Sequence, residues 1–114
     1  LTALTACQAD EGSSGHSDAV TAIAAGALLI DVRTPKEFSE GSLPHAINIP
    51  HGSIVDGVRA LGIDQHDNIV VFCRSGNRSG KALTALTATG FDSVINGGSF
   101  HDLQSALANA NVQP

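Results

Sequence analysis

The stretch Asn68-Ile69-Val70-Val71-Phe72-Cys73-Arg74-Ser75-Gly76-Asn77-Arg78-Ser79 passes from apolar to polar across a single cysteine. Three consecutive β-branched residues followed by Phe72 form the strongest strand signal in the chain. An unbroken apolar run of this kind predicts a strand covered on both faces, as in a parallel sheet. Arg74-Ser75-Gly76-Asn77 is a poor continuation of a central strand. From Arg78 or Ser79 to Thr89, Ala82, Leu83 and Leu86 fall on one face of a helix, with Gly90 as its C-cap. The unit is therefore strand, short loop, helix, with Cys73 at the turning point.

Outward from this unit the same alternation repeats. Toward the N-terminus, Ser53 to Leu61 predicts a helix with Ile54, Val58 and Leu61 on its buried side and Gly62 as its stop. Ala46-Ile47-Asn48-Ile49-Pro50 reads as a short strand closed by proline. Thr34-Pro35-Lys36-Glu37 has the N-cap, first-turn proline and returning glutamate of a capping box. Before it, Leu28 to Val32 reads as a covered strand, and Ser17 as the N-cap of a helix carrying Val20, Ile23 and Ala24. Toward the C-terminus, Ser93-Val94-Ile95 is a last strand, Gly97-Gly98 a turn and Phe100 to Ala108 a last helix. Such alternation predicts an α/β fold, with a central parallel sheet of four to five strands flanked by helices on both faces. Ligands in these sheets bind beyond the carboxyl ends of the strands, where Cys73 stands.

The chain has 114 residues, 42% of them apolar, enough for one modest core without Trp, Tyr or Met. A net charge of −5 argues against a nucleic-acid binder. Yet Arg74, Arg78 and Lys81 cluster in a segment without acidic residues from Asp67 to Asp92, so one stretch of an acidic protein is locally positive. Two cysteines, Cys7 and Cys73, suggest neither a disulfide scaffold nor a zinc site. Residues 1–16 are expected to stand apart from a folded domain over 17–114. Leu4-Thr5-Ala6-Cys7 resembles a bacterial lipobox, and Gln8 to His16 reads as a flexible tether. The expectation is an exported protein of the periplasm or cell envelope, meeting a membrane only through a lipid on Cys7.

An ordinary thiol, with a pKa of about 8.5, is only about 3% ionised at pH 7. A helix N-terminus presents unpaired amides and partial positive charge, and cysteines placed there ionise far more readily. Gly76 and Asn77 tolerate the left-handed backbone that a loop needs to turn its amides inward. The alternative is a packed core thiol at a strand end. Two arginines and a glycine directly after Cys73 favour the catalytic role.

Leu29-Ile30-Asp31-Val32-Arg33, Glu37-Phe38, Gly41, Ala46 to Pro50, Cys73 to Ser79, Gly90-Phe91 and Gly97-Gly98 together resemble the rhodanese homology domain, most closely its small single-domain periplasmic form. That resemblance covers about Leu28 to Leu103. It implies a thiosulfate sulfurtransferase in which Cys73 takes up a sulfane sulfur as a persulfide and passes it to cyanide or a thiol. It further implies that Arg74, Ser75, Gly76, Asn77 and Arg78 bind the substrate. Asp31, Arg33, Glu37 and Ser79 would support the loop. No cofactor or metal is implied; the partners would be a small sulfur donor and a thiophilic acceptor, and the protein a monomer or weak dimer.

Two departures stand out. Ser42-Leu43-Pro44-His45 replaces the family's usual His-Ile-Pro-Gly, and the Trp usual after the paired glycines is missing, with Phe100 nearby. The competing readings are a non-catalytic binding module and a phosphatase or arsenate reductase of the same fold. In the latter the loop has one more residue than the four between Cys73 and Arg78. His45 and His51 lack the spacing of a metal site.

Overall fold

The computed structural model describes residues 14–114. Cys7, the lipobox-like stretch and most of the expected tether lie outside the described residues. The elements are α1 (Ser14–Ala24), β1 (Leu28–Asp31), α2 (Pro35–Ser39), β2 (Ile47–Asn48), a 3-10 turn (His51–Ser53), α3 (Ile54–Ala60), β3 (Ile69–Cys73), α4 (Asn77–Ala88), β4 (Val94–Ser99) and α5 (Phe100–Asn109). The four strands are parallel, in the order β2-β1-β3-β4.

β3 shows why a continuous apolar run can be central. All five of its residues are buried, and side chains alternate between two cores. Ile69, Val71 and Cys73 join Ile54, Val58, Ala82 and Leu86, the inner faces of α3 and α4. Val70 and Phe72 join Ala19, Ile23, Leu103 and Leu107, the inner faces of α1 and α5. The period of two thus distributes one hydrophobic sequence over both layers.

The Thr34 capping box forms as its residues dictate. Thr34 Oγ1 accepts the Glu37 N–H at 3.2 Å, and Glu37 Oε1 accepts the Thr34 N–H at 3.0 Å.

Three local expectations are corrected. α1 begins at Ser14, so Ser17 lies inside its first turn instead of capping it; extending a nucleated helix through polar residues costs little. Leu61 is 56% exposed instead of facing the core, because α3 ends at Ala60 and the chain turns away at Leu61. Gly97-Gly98 is not a turn; both residues belong to β4. Val71 pairs with Asn96 but Phe72 pairs with Gly98, leaving Gly97 as the extra residue of a β-bulge. A side chain at Gly97 would meet Val70 Cγ1 at 2.9 Å, and Gly98 has φ +82°. Both positions therefore require glycine for packing or backbone reasons.

Candidate active site

Cys73 is the last residue of β3 and is paired with Ser99 of β4. Beyond it the chain turns through Arg74-Ser75-Gly76 and enters α4 at Asn77, with Gly76 as N-cap at φ +95°. That left-handed N-cap, open to glycine without strain, aims the start of α4 at the sulfur. Gly76 N–H donates to Cys73 Sγ at 3.0 Å and Ser79 N–H at 3.3 Å. Ser79 Oγ lies 3.4 Å from the sulfur. Sulfur thus takes the place of a capping oxygen for the unpaired amides of a 12-residue helix.

Burial pushes the Cys73 thiol pKa up. The Ser79 hydroxyl and amide, then the Ser75 and Gly76 amides, push it down and prevail, leaving it below its ordinary value. Cys73 has 0% exposure, so its sulfur is covered by the surrounding chain.

The charged residues form two separate supports. At the carboxyl end of β1, Arg33 grips Asp31 through Nε (2.9 Å to Oδ1) and Nη2 (2.7 Å to Oδ2), and Asp31 has 0% exposure. Ser42 Oγ donates to Asp31 Oδ2 at 2.8 Å, and Arg33 Nη2 donates to the Gly41 carbonyl at 2.6 Å. Ser42, one of the departures from the family pattern, thereby becomes part of the buried network. Nearer the mouth, Arg78 makes a bidentate pair with Glu37, Nη1 to Oε1 at 2.7 Å and Nη2 to Oε2 at 3.1 Å. Arg78, with help from the Thr34 amide, holds the Glu37 carboxyl well below the usual carboxylate range. Glu37 accordingly clamps α2 to α4 and stands apart from the Asp31–Arg33 pair. Arg74 is only 3.6 Å from Glu37 and 76% exposed, so its guanidinium faces water.

A cavity of about 230 Å³ opens beside the loop, lined by Arg33, Glu37, Glu40, Gly41, Arg74, Phe100 and His101. Phe100 stacks on Phe72 at 6.1 Å and lies 4.7 Å beneath the Arg33 guanidinium. It forms an aromatic wall.

The structure brings Cys73, Gly76 and Ser79 into direct contact, with Arg74, Arg78 and Glu37 around them. Asp31 and Arg33 pair with each other and hold Ser42 and the Gly41 carbonyl, and Asn77 supplies the first residue of α4. Asn96 is a residue that sequence reasoning missed. Its Oδ1 lies 2.7 Å from Ser79 Oγ and accepts the Gly98 N–H at 2.9 Å, while its Nδ2 donates to the Gly76 carbonyl at 3.3 Å. The available signal was a lone amide in a strand after Val94-Ile95, since a polar side chain there needs partners.

Comparison with known proteins agrees with this architecture. The rhodanese-like domain family matches residues 16–106. A sulfurtransferase of Allochromatium vinosum is 38% identical over 69 residues, covering 60% of this chain and 63% of the relative. The thiosulfate sulfurtransferase PspE of Escherichia coli is 32% identical over 74 residues, covering 65% of this chain and 71% of the relative. A solved rhodanese from E. coli, described as holding anions, superposes with a TM-score of 0.64 at 31% identity, covering 68% of this chain and 91% of that one. The chain thus spans less than two thirds of the Allochromatium protein.

Proposed function

The chain belongs to the rhodanese-like domain family, and on that premise we propose that it is a thiosulfate sulfurtransferase working through a persulfide on Cys73. The observation that carries the reading is the pair of helix amides, from Gly76 and Ser79, donating to the cysteine sulfur. In the first step the Cys73 thiolate attacks the outer sulfur of thiosulfate. A sulfur–sulfur bond forms to Cys73, the bond to the sulfonate sulfur breaks, and sulfite leaves with the electron pair. In the second step cyanide or a thiolate attacks the outer sulfur of the persulfide and returns Cys73 as thiolate. This is covalent catalysis in two half-reactions.

Preorganised amides suit both steps because an anion sits on sulfur at the start and end of each. The donor is a dianion approaching an anion, which calls for a cation open to solvent. Exposed Arg74 is our candidate for that task, while Arg78, neutralised by Glu37, positions the start of α4. Ser75 and Asn77 complete the loop around the bound sulfur.

The test is intact mass of the protein after thiosulfate treatment, paired with thiocyanate formation from cyanide. One added sulfur atom and catalytic thiocyanate release are expected, with both absent in Cys73→Ser. The full cover over Cys73 favours a second reading, a binding module whose thiol is packed away. Equilibrium binding of thiosulfate with no sulfur adduct would establish that one instead.

A further inference from the structure

A serine hydroxyl carries one proton, yet Ser79 Oγ stands near three acceptors. These are Asn96 Oδ1 at 2.7 Å, the Gly76 carbonyl at 3.1 Å and Cys73 Sγ at 3.4 Å. The Gly76 carbonyl already accepts the Gly80 N–H at 3.1 Å and Asn96 Nδ2 at 3.3 Å. The Asn96 amide cannot turn over, because its oxygen faces the Gly98 N–H and its nitrogen the Gly76 carbonyl. Asn96 Oδ1 has no proton to give, so the shortest of the three contacts requires Ser79 to donate to it. In this arrangement the sulfur faces an oxygen lone pair, which suits a thiol donating S–H to Ser79 and repels a thiolate.

We propose that Asn96 is a positioning residue that draws the Ser79 hydroxyl proton away from Cys73 and gives it up when the sulfur becomes anionic. On ionisation the thiol proton leaves to solvent and the Ser79 O–H rotates from Asn96 Oδ1 to Sγ. Asn96 keeps its bond from Gly98 N–H and so is never left without a partner. Once a second sulfur is attached, the negative charge moves to the outer atom, and the Ser79 proton returns to Asn96. This last step rests on the persulfide reading; the first two concern the thiol alone. A rotating hydroxyl lets one fixed loop serve the thiol, the thiolate and the sulfur-loaded protein without moving its backbone.

The test follows thiolate absorbance during pH titration in a Cys7→Ser background, where Cys73 is the sole thiol. The charged and titratable groups near the loop, Arg74, Arg78, Glu37, Asp31, Arg33 and His16 beside Gly98, are unchanged among the four proteins titrated: the Cys7→Ser background alone, with Ser79→Ala, with Asn96→Ala and with both. Ser79→Ala is expected to raise the titration midpoint by about one pH unit, since it removes a donor to the charged form. Asn96→Ala is expected to lower it by about half a unit by freeing that donor. Adding Asn96→Ala to Ser79→Ala is expected to change nothing. A rise with Asn96→Ala, no shift at all, or an equal shift in both backgrounds overturns the proposal. Thermal melts verify folding, and Asn96→Ser, too short to hold the hydroxyl, replaces Asn96→Ala if that variant is unfolded. Because no sulfur donor is added, a protein that fails to load sulfur would refute the sulfurtransferase reading while leaving this result intact.

Discussion

The two ends of the sheet carry ion pairs of the same length and of very different consequence. At the amino ends of β3 and β4, His66 Nδ1 lies 2.7 Å from Asp92 Oδ2, with side chains 76% and 55% exposed. At the carboxyl ends, Arg33–Asp31 and Arg78–Glu37 also close to 2.7 Å, but at 8% and 0%, and 26% and 19% exposure. Distance therefore says little about what a pair does; water decides. The exposed pair is screened and pins two loops weakly. Of the sheltered pairs, Arg78–Glu37 ties the start of α4 to α2, and Arg33–Asp31 ties the end of β1 to the turn at Gly41 and Ser42.

Breaking the sheltered end should cost most. Asp31→Ala strands the Arg33 guanidinium in the interior and is expected to lose about 3–5 kcal/mol in urea denaturation. A loss no larger than that of a surface variant would erase the contrast between the ends.

Glu37→Gln removes the Arg78 clamp and weakens the α2 cap, for an expected loss of about 1–2 kcal/mol at pH 7. Glu37 has a folded pKa depressed by Arg78. Its contribution is therefore present above the unfolded value of about 4.3 and disappears as pH falls from there toward the depressed value. Wild type should lose more stability than Glu37→Gln between pH 6 and about 3, a difference that paired urea melts resolve.

Arg74→Ala sharpens the division of labour at the rim. It should raise the KM for thiosulfate about tenfold with little change in melting temperature, because a water-facing cation contributes to binding and not to the fold. An unchanged KM would remove Arg74 from the donor site.

The smallest effect is expected from Asp92→Asn. His66 has a raised pKa through Asp92, so any contribution is present below the ordinary histidine value and fades as pH rises through the raised one. Melting temperatures of the variant and wild type should agree within error at pH 5 and at pH 8.

Much of the sheltered end was legible because its signals are local. The covered strand Ile69–Cys73, the capping box at Thr34 and the glycine at Gly76 each follow from neighbouring residues. So did the position of Cys73 at a strand's carboxyl end. What escaped depends on contacts between distant segments. Gly97-Gly98 reads as a turn until one sees Val70 and Leu103 pressing on it. Asn96 acquires its partners only when β4 lies beside the start of α4. Arg78 reads as a free anion binder until α2 brings Glu37 across 41 positions. The Ser42-Leu43-Pro44-His45 departure likewise hid its use, since Ser42 finds Asp31 only in the folded chain.

A single-turnover measurement of sulfite release from thiosulfate across pH joins the loop's electrostatics to its chemistry. The expected result is a burst of one sulfite per protein whose rate is half-maximal below the ordinary thiol value of about 8.5. A rate that climbs only above that value, or no burst at any pH, would contradict an ionised Cys73 held by the amides of its own loop.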